Sequence, residues 1–471
     1  MEIVTEQAGT RDVLENEQGL ARQLSSRQLA MIAIGGAIGT GLFLGSSLAV
    51  RVAGPAVILT YLFGAVIALL LTGVLSEMAV AHPTAGSFGV YAELYVSKWA
   101  GFVVRYTYWA SQAIAVGGEA TAIAIYCRWW FPQTPAWIWV VIASFTLIFI
   151  NARSVGSFGE FEYWFSMVKV IAIVLFIVFG VLTLAGLGHS SAIGLRNLNA
   201  HGGFFPFGVK GAWFALVFVI FSFIGTEVVA VTAGEAKNPD QAVPKAMRSM
   251  VARLVIFYVA AITVLVAVIP WNQIQPGHDI TASPFVRVFA ATGVPAAAHI
   301  INFVVLTAAL SSMNCNIYLA TRMMFSLARG GYAPGIFGKV SRKGTPINAL
   351  LISAVGLGVA VILALFYPDT AYVYMFGVAL FGGLFVWLMI FVTFLFFRRQ
   401  WPGGTKGGRT LPVRMPGHPF STIVGVIAIT AILISSWWVE GMQVTLKSGI
   451  PWLGFLSIIY FAWGRKQSRS A

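Results

Sequence analysis

The sequence predicts an all-α polytopic membrane protein with twelve transmembrane helices, of which the first and the sixth are broken. Its 471 residues are 58% hydrophobic and only 10% charged, and the mean hydropathy is +0.83. Long apolar stretches recur along the whole chain, and the loops between them are alternately rich and poor in basic residues. An ordinary soluble domain is excluded, because about 25% of its residues would be charged.

Twelve apolar stretches are long enough to cross a hydrocarbon core of about 30 Å as helices. The first six are predicted at about 29–50, 55–80, 98–131, 136–151, 162–187 and 211–234. The other six are predicted at about 249–270, 294–328, 347–367, 371–397, 421–438 and 450–464. Residues 1–26 and 466–471 are polar tails, in which we expect neither a cleaved signal peptide nor a soluble domain.

The positions of lysine and arginine predict the orientation, because cytoplasmic loops carry an excess of both. With the N-terminus in the cytoplasm, 24 of the 30 basic residues fall on the cytoplasmic side. The six on the other side are Arg51, Arg128, Arg196, Lys210, Arg287 and Lys447. We therefore expect both termini in the cytoplasm, and the net charge of +14 reflects this orientation and not a nucleic-acid partner.

Motifs of soluble enzymes are missing from the sequence. There is no G-x-x-x-x-G-K-[ST] loop, no H-E-x-x-H helix and no G-x-S-x-G elbow. The histidines are scattered mostly over loops and stretch ends: His82, His189, His201, His278, His299 and His418. Cys127 and Cys315 lie in or near apolar stretches, where we expect packing and neither a disulfide nor a metal site. The sequence predicts no enzyme activity, no cofactor and no metal.

The first stretch contains four closely spaced glycines within residues 34–43: Gly35, Gly36, Gly39 and Gly41. Each glycine inside a helix costs about 1 kcal/mol relative to alanine, so a break is expected here. A break at membrane depth is tolerated where it lines a cavity, and its freed N–H groups can hold a carboxylate. Alternatively, the spacings Gly35-x-x-x-Gly39 and Gly41-x-x-x-Gly45 serve only the close approach of two helices.

A second break is predicted at residues 221–227, five stretches downstream. Its Ile224-Gly225-Thr226 repeats the earlier Ile38-Gly39-Thr40. Two glycine-interrupted segments in corresponding places of two halves indicate the central site of a transporter. The second break therefore favours a substrate site over simple helix packing at the first.

Three charged residues lie well inside apolar stretches, where charge is costly and often functional. Glu119, which follows Gly117-Gly118, either exchanges protons or satisfies a neighbouring helix. Glu227 is expected to cap the broken helix, since a carboxylate is favoured at a helix N-terminus. Lys169 either extends its amine back to the membrane surface or stays buried, where it can lose its proton and couple transport.

The eighth stretch contains a polar cluster, Ser311, Ser312 and Asn314. These side chains either face a lysine, an ion or a substrate, or they form hydrogen bonds that join membrane helices.

The chain resembles the amino acid permeases of the amino acid–polyamine–organocation (APC) superfamily, in the bacterial amino acid transporter (AAT) family. The resemblance runs from about residue 24 to residue 465, and its most specific parts are residues 34–43, 159–169 and 221–246. It implies a LeuT-like fold within a transmembrane domain of residues 27–465. Two inverted five-helix repeats would occupy about 27–187 and 211–397, followed by two peripheral helices at about 421–464.

The same resemblance implies a substrate-binding set of Ala37, Ile38, Gly39, Thr40, Gly41, Phe221, Ser222, Ile224 and Glu119. Thr40 and Gly41 would donate to the substrate carboxylate, and the carbonyls of Ala37, Phe221 and Ile224 would accept its ammonium group. Phe221 would also act as a gate. Lys169 and Glu119 would handle protons, with Ser311, Ser312 and Asn314 as a supporting polar cluster.

The predicted function is secondary active import of L-amino acids across the cytoplasmic membrane by proton symport and alternating access. Its partners would be the amino acid, protons and membrane lipids. Neutral substrates are favoured, because Glu119 and Glu227 are the only central carboxylates and no central arginine remains for an acidic side chain. The alternatives are an amino acid exchanger, driven by counter-substrate, and an amino acid sensor that does not transport.

Overall fold

The protein is a bundle of helices. The computed structural model describes residues 13–39, 41–187, 192–274, 284–291, 296–366 and 371–464. In these ranges the strands form one short antiparallel hairpin, β1 (Thr405–Lys406) with β2 (Arg409–Thr410). It lies in the basic connector between the tenth and eleventh predicted stretches, away from the centre of the bundle.

The first half of the chain forms seven α-helices in the described ranges. They are α1 (Ser26–Ala37), α2 (Ser46–Ala53), α3 (Val57–Ala81), α4 (Ser87–Tyr95), α5 (Lys98–Trp130), α6 (Ala136–Arg153) and α7 (Val155–Leu184). Serines begin three of them. Ser25, Ser97 and Ser154 each accept a backbone N–H of the first helical turn, which satisfies donors that have no partner within the helix.

The second half forms ten more α-helices in the described ranges. They are α8 (Gly208–Val219), α9 (Val228–Thr232), α10 (Pro239–Val268), α11 (Pro284–Ala291), α12 (Ala297–Arg329), α13 (Ile347–Ser353), α14 (Val355–Phe366), α15 (Ala371–Gln400), α16 (Phe420–Ser435) and α17 (Gln443–Ile459). Pro239 opens α10, a position where the missing N–H of proline costs nothing.

Nine helical segments of the described ranges are long and apolar enough to cross a membrane. They confirm a polytopic all-α membrane protein. Three of the twelve predicted stretches do not appear among the nine as single segments. The first is interrupted, the third (α5) carries polar residues along its length, and the ninth is divided between α13 and α14.

Three predicted starts differ from the structure by about two to three turns. The fifth stretch is expected from 162, but α7 begins at Val155, and the seventh is expected from 249, but α10 begins at Pro239. The twelfth is expected from 450, but α17 begins at Gln443. Hydropathy does not reveal these first turns, because they mix charged and apolar residues. Because α7 begins at Val155, Glu162 lies within the helix and not at its start, and its side chain is buried in the bundle.

The outer face of the bundle is apolar. Five large side chains of α3 are between 42% and 48% exposed, Leu59, Leu62, Phe63, Val66 and Leu69. Such a continuous exposed apolar row suits contact with lipid. In the interior, α5 packs against α12 and α15, while α1 packs against α7, α10 and α12. The broken helix α1 is therefore enclosed by other helices.

Buried charges at the end of the bundle that holds the N-terminal segment are paired. Arg322 and Glu235 are 2.8 Å apart and nearly unexposed, and Tyr318 donates to the same carboxylate at 2.9 Å. The N-terminal segment is attached nearby, since Glu17 accepts the backbone N–H of Gly86 at 2.9 Å. Pairing of this kind offsets the desolvation cost of burying charge.

Candidate substrate site

The first predicted break is present in the structure. The helix α1 ends at Ala37, and Ile38 leaves helical geometry with φ −87° and ψ 88°. A single π-helical turn, Gly41–Gly45, then leads into α2. Backbone groups near the interruption lose their regular helical partners, so they must find others. Thr40, a predicted carboxylate donor, lies outside the described residues.

The second predicted break is also present. The helix α8 ends at Val219 and continues as a 3₁₀ turn, Ile220–Phe223. Ile224 is then extended, with ψ 135°, and Gly225 has φ +106° before α9 begins at Val228. Only glycine adopts such a φ readily. The glycine therefore allows the chain to turn sharply between the two half-helices.

The two breaks contact each other through glycine. A Cβ atom added to Gly225 would overlap the carbonyl group of Gly36, and one added to Gly36 would lie 3.5 Å from the carbonyl oxygen of Gly225. Close packing of small residues therefore operates at this crossing. Gly39 faces Ser312 and Glu119 instead.

A small cavity of about 30 Å³ lies between the breaks. Seven of the predicted residues line it: Ala37, Gly39, Gly41, Glu119, Phe221, Ile224 and Ser312. Its other lining residues are Gly36, Ser111, Gln112, Ala115, Asn316 and Ala379, none of which was predicted as a substrate-binding residue. The other described residues of the predicted set are not among the lining residues: Ile38, Lys169, Ser222, Ser311 and Asn314.

Lys169 is fully buried and its amine points at the first break. Its Nζ atom donates to the carbonyl oxygen of Gly35 at 2.6 Å and to that of Ile38 at 2.8 Å. The alternative that this lysine extends to the membrane surface is therefore wrong in this structure. Carbonyls at the end of a half-helix carry partial negative charge, which suits an ammonium group.

Tyr258 of α10 contacts both breaks at once. Its hydroxyl oxygen lies 2.8 Å from the carbonyl oxygen of Ala37 and 2.9 Å from that of Ser222. Tyr61 of α3 contacts the second break too, with 3.2 Å between its hydroxyl and that of Ser222. Sequence reasoning did not select either tyrosine, because a tyrosine within an apolar stretch resembles an ordinary packing residue.

Two carbonyls expected to receive the substrate ammonium already have partners. That of Ala37 accepts Tyr258, and that of Phe221 accepts the backbone N–H of Ile224 at 3.2 Å. A carbonyl oxygen has two lone pairs, so that of Phe221 can accept one further hydrogen bond. That of Ala37 also accepts the backbone N–H of Gly39 at 3.2 Å, so an ammonium group could bind there only if Tyr258 or Gly39 gave way.

Glu119 enters the cavity wall from α5. It is 6% exposed, and its Oε1 atom accepts the hydroxyl of Ser312 at 2.8 Å. The polar cluster of α12 therefore reaches the cavity at Ser312. Ser311 and Asn314 of the same helix donate to a different carboxylate, that of Glu162.

Glu162 is a buried carboxylate that sequence reasoning missed. It has no exposed surface, yet it stood at the predicted start of the fifth stretch and was not counted as lying inside the membrane. The available signal was its spacing from Lys169, seven residues later, which places both side chains on one face of a helix.

Glu227 holds the second break in place. Its carboxylate accepts Tyr108 at 2.8 Å, Trp387 at 3.2 Å and the backbone N–H of Gly225 at 2.9 Å. The expected cap on α9 is not seen, since Glu227 makes no side-chain hydrogen bond to the first turn of α9. The carboxylate instead contacts the bend that precedes the helix.

Phe221 lies at one wall of the cavity and packs on Phe376 of α15, with 3.9 Å between the ring centroids. Phe376 also contacts Phe218, at 6.4 Å. Phe221 is the ring of this group that lines the cavity, and its role as a gate stays a prediction.

Gly41→Val is expected to weaken substrate binding by about tenfold or more, equivalent to about 1.4 kcal/mol. Even a Cβ atom at Gly41 would lie 3.1 Å from the ring of Phe221 and 3.2 Å from the Cα atom of Ser222, so valine would fill space beside the cavity. The measurement is equilibrium binding of labelled amino acid to purified protein.

Gly45→Ala is the matched control for that variant. It lies in the same π-helical turn, but its added Cβ would meet only Phe376, at an ordinary 3.7 Å. Equal affinities in the two variants and the unmodified protein would mean that Gly41 only packs helices.

A polytopic α-helical membrane protein with a cavity between two broken helices has the architecture of a secondary transporter. The chain belongs to the amino acid permease family, whose profile matches residues 28–469. The resemblance noted in the sequence is thereby confirmed, and the family is one of membrane transporters.

Relatives of full length support the same family. The chain is 38% identical over 454 residues to the gamma-aminobutyric acid permease of Bacillus subtilis (strain 168), covering 96% of each protein. It is 37% identical over 449 residues to "Probable threonine/serine transporter YbxG" of that organism, covering 94% of this chain and 95% of the relative. Amino-acid permease RocC, also of that organism, is 38% identical over 446 residues, with 94% coverage of each.

Proposed function

We propose that the protein imports small neutral L-amino acids across the cytoplasmic membrane by proton symport. The observation that carries this proposal is the pair of hydrogen bonds from the buried Lys169 amine to the Gly35 and Ile38 carbonyls of the first break. Protonation of this lysine would therefore affect the conformation of the first break, because only the protonated amine offers three donors and a full charge.

The substrate would bind across the two breaks as a zwitterion. Its carboxylate would receive the donors of Thr40 and Gly41, and its ammonium group would be accepted by the carbonyls of Ala37, Phe221 and Ile224. Half-helix ends provide these opposite partial charges in one place. The cavity between Gly41 and Ile224 supports this orientation.

Two features of the cavity favour a small neutral side chain. Among the described lining residues there is no lysine, arginine or histidine, and the carboxylate Glu119 is bonded to Ser312. A neighbouring space of about 10 Å³ is bounded by Phe221, Met375 and Phe376, so a large side chain would need these groups to move. The relatives named for gamma-aminobutyric acid and for threonine and serine are similarly close in identity, so identity alone selects neither substrate.

Alternating access would proceed as rocking of helices around the two breaks. The proposed frame is twelve transmembrane helices with a LeuT-like pair of inverted repeats, at about 27–187 and 211–397, and both termini in the cytoplasm. Helices α3 and α10 support such a repeat, because each comes directly after one of the two broken segments. Each also contributes a tyrosine to a break: Tyr61 contacts Ser222 of the second break, and Tyr258 contacts Ala37 of the first.

Uptake into proteoliposomes tests the proposal. A panel of labelled amino acids is offered under an inward proton gradient, an inward sodium gradient and no gradient. We expect one group of neutral amino acids to accumulate above its outside concentration with the proton gradient alone. Flux that requires amino acid preloaded inside would identify an exchanger, and binding without flux would identify a sensor.

A further inference from the structure

We infer that Glu162 is a positioning residue for proton coupling: it is the fixed counter-charge of Lys169 and joins α7 to α1 and α12 at the first break. This inference rests on the proposed proton symport, to which it adds a second buried charge.

The surroundings of Glu162 are those of a carboxylate. Its Oε1 atom accepts the hydroxyl of Ser311 and, at 3.3 Å, that of Ser166, while its Oε2 atom accepts the amide of Asn314 at 3.1 Å. A carboxylate only accepts hydrogen bonds, and a buried one requires several such donors. Three donors from α7 and α12 meet that requirement.

Lys169 needs a negative partner because its own hydrogen-bond acceptors are neutral. The amine donates to two carbonyl oxygens, those of Gly35 and Ile38, and neither carries a full charge. Glu162 lies about two turns earlier on the same face of α7, and the Lys169 amine and the Glu162 carboxylate both contact Gly35 of α1. Together they place a charge-balanced pair against the break.

Gly35 is the residue of α1 that meets both members of the pair. Its carbonyl oxygen accepts Lys169, and a Cβ atom on it would overlap Oε1 of Glu162 and the hydroxyl of Ser166. The absence of a side chain at Gly35 thus lets α1 rest directly on the carboxylate. Loss of the proton from Lys169 would weaken the hold on Gly35, whereas Glu162 would remain bonded to α12.

The other titratable groups near the pair have different contacts. Glu119 of α5 and Cys315 of α12 both interact electrostatically with Lys169, but Glu119 accepts Ser312 and lines the cavity. From α10, Tyr258 contacts the carbonyl of Ala37. From α6, the neutral Asn151 donates to Asn314 at 2.7 Å. Among these groups, Glu162 is the carboxylate that lies on α7 with Lys169.

The test compares Glu162→Gln with Glu160→Gln in proteoliposomes. Glutamine keeps the size of the side chain and removes its charge. Glu160 is the matched control, because it lies on the same helix, is exposed, and bonds only at the surface to Trp164 at 2.9 Å. The probe is the labelled amino acid that the unmodified protein takes up best in the panel described above.

For Glu162→Gln we expect accumulation under a proton gradient to fall by about tenfold or more, a usual size of coupling between sites. The rate of exchange against preloaded amino acid at equal pH should stay within about threefold of that of the unmodified protein. The uptake rate of the variant should depend less on pH than that of the unmodified protein. Glu160→Gln should match the unmodified protein in all three measurements. Unaltered accumulation and pH profile in Glu162→Gln would overturn the inference.

A stability cycle tests the pairing independently of transport. The thermal stability of Glu162→Gln, Lys169→Met and the double variant is measured in detergent by size-exclusion after heating. If the two charges balance each other, the double variant should be at least as thermally stable as the less stable of the two single variants. The reason is that removing one member alone leaves an unpaired charge. Additive losses would overturn the pairing.

The two experiments separate failure of this inference from failure of the proposed function. If the unmodified protein shows no accumulation under a proton gradient, the proposed symport is wrong, and the stability cycle still decides whether Glu162 and Lys169 are paired. If symport holds and Glu162→Gln is folded but loses exchange as well as accumulation, Glu162 serves binding or structure, and the inference is overturned.

Discussion

Lys169→Met should abolish accumulation driven by a proton gradient while leaving a folded protein. Methionine fills a similar volume but cannot bond to the carbonyls of Gly35 and Ile38, which Lys169 holds at 2.6 and 2.8 Å. Removing one member of a buried charged group costs about 3–5 kcal/mol of folding stability. Without a titratable amine at the break, gradient-driven uptake should fall to the level seen with no gradient. The measurement is uptake at several outside pH values in proteoliposomes.

Lys169→Arg tests whether a positive charge at this position is sufficient for coupling or whether the side chain must also be able to lose its proton. Arginine keeps a positive charge and can donate to the same carbonyls, but it does not lose its proton in proteins. We expect this variant to remain folded and still to lose pH-driven accumulation. Accumulation that persists in Lys169→Met with an unchanged pH dependence would remove Lys169 from the mechanism and leave it a structural role.

Gly225→Ala should disrupt the crossing of the two breaks and is expected to have the second large effect. Gly225 has φ +106°, and a side chain there costs about 1–3 kcal/mol in backbone strain. The added Cβ atom would also overlap the carbonyl of Gly36, so the half-helices would have to separate. We expect a loss of thermal stability in detergent and a loss of substrate binding together.

Gly331→Ala is the matched control for backbone strain alone. Gly331 also has a positive φ, +75°, but a Cβ atom there meets nothing within 4 Å. It lies beyond the end of α12, away from the cavity. If Gly331→Ala and Gly225→Ala lose the same stability and both retain binding, the contact between Gly225 and Gly36 has no role in the site.

The positions of the two breaks could be predicted from the sequence. Glycine weakens helices wherever it occurs, and several glycines in a stretch that must otherwise be helical leave few structures available. The interruptions at Ile38 and Ile224 therefore follow from local chemistry. The nine apolar helices of the described ranges likewise follow from composition, since a bilayer requires each span to satisfy its own backbone.

The partners of the buried charges could not be predicted in the same way. Glu162 was not selected, because the sequence does not show where α7 begins or that Ser311 and Asn314 of α12 would face it. Lys169 had two open alternatives, and its depth was decided by packing between α1 and α7. The tyrosine contacts to the breaks, from Tyr61 and Tyr258, join residues 161 and 221 positions apart in the chain.

Hydropathy and glycine content were sufficient to predict a helical membrane protein with two breaks, because both act through the solvent and the local backbone. Which groups meet at those breaks depends on the packing of the assembled bundle. The burial of Lys169 against Gly35, the carboxylate of Glu162 behind it, and the contact of Gly36 with Gly225 all depend on how helices distant in sequence pack. A buried polar group must find its partner in space, and that partner is set by the assembled bundle.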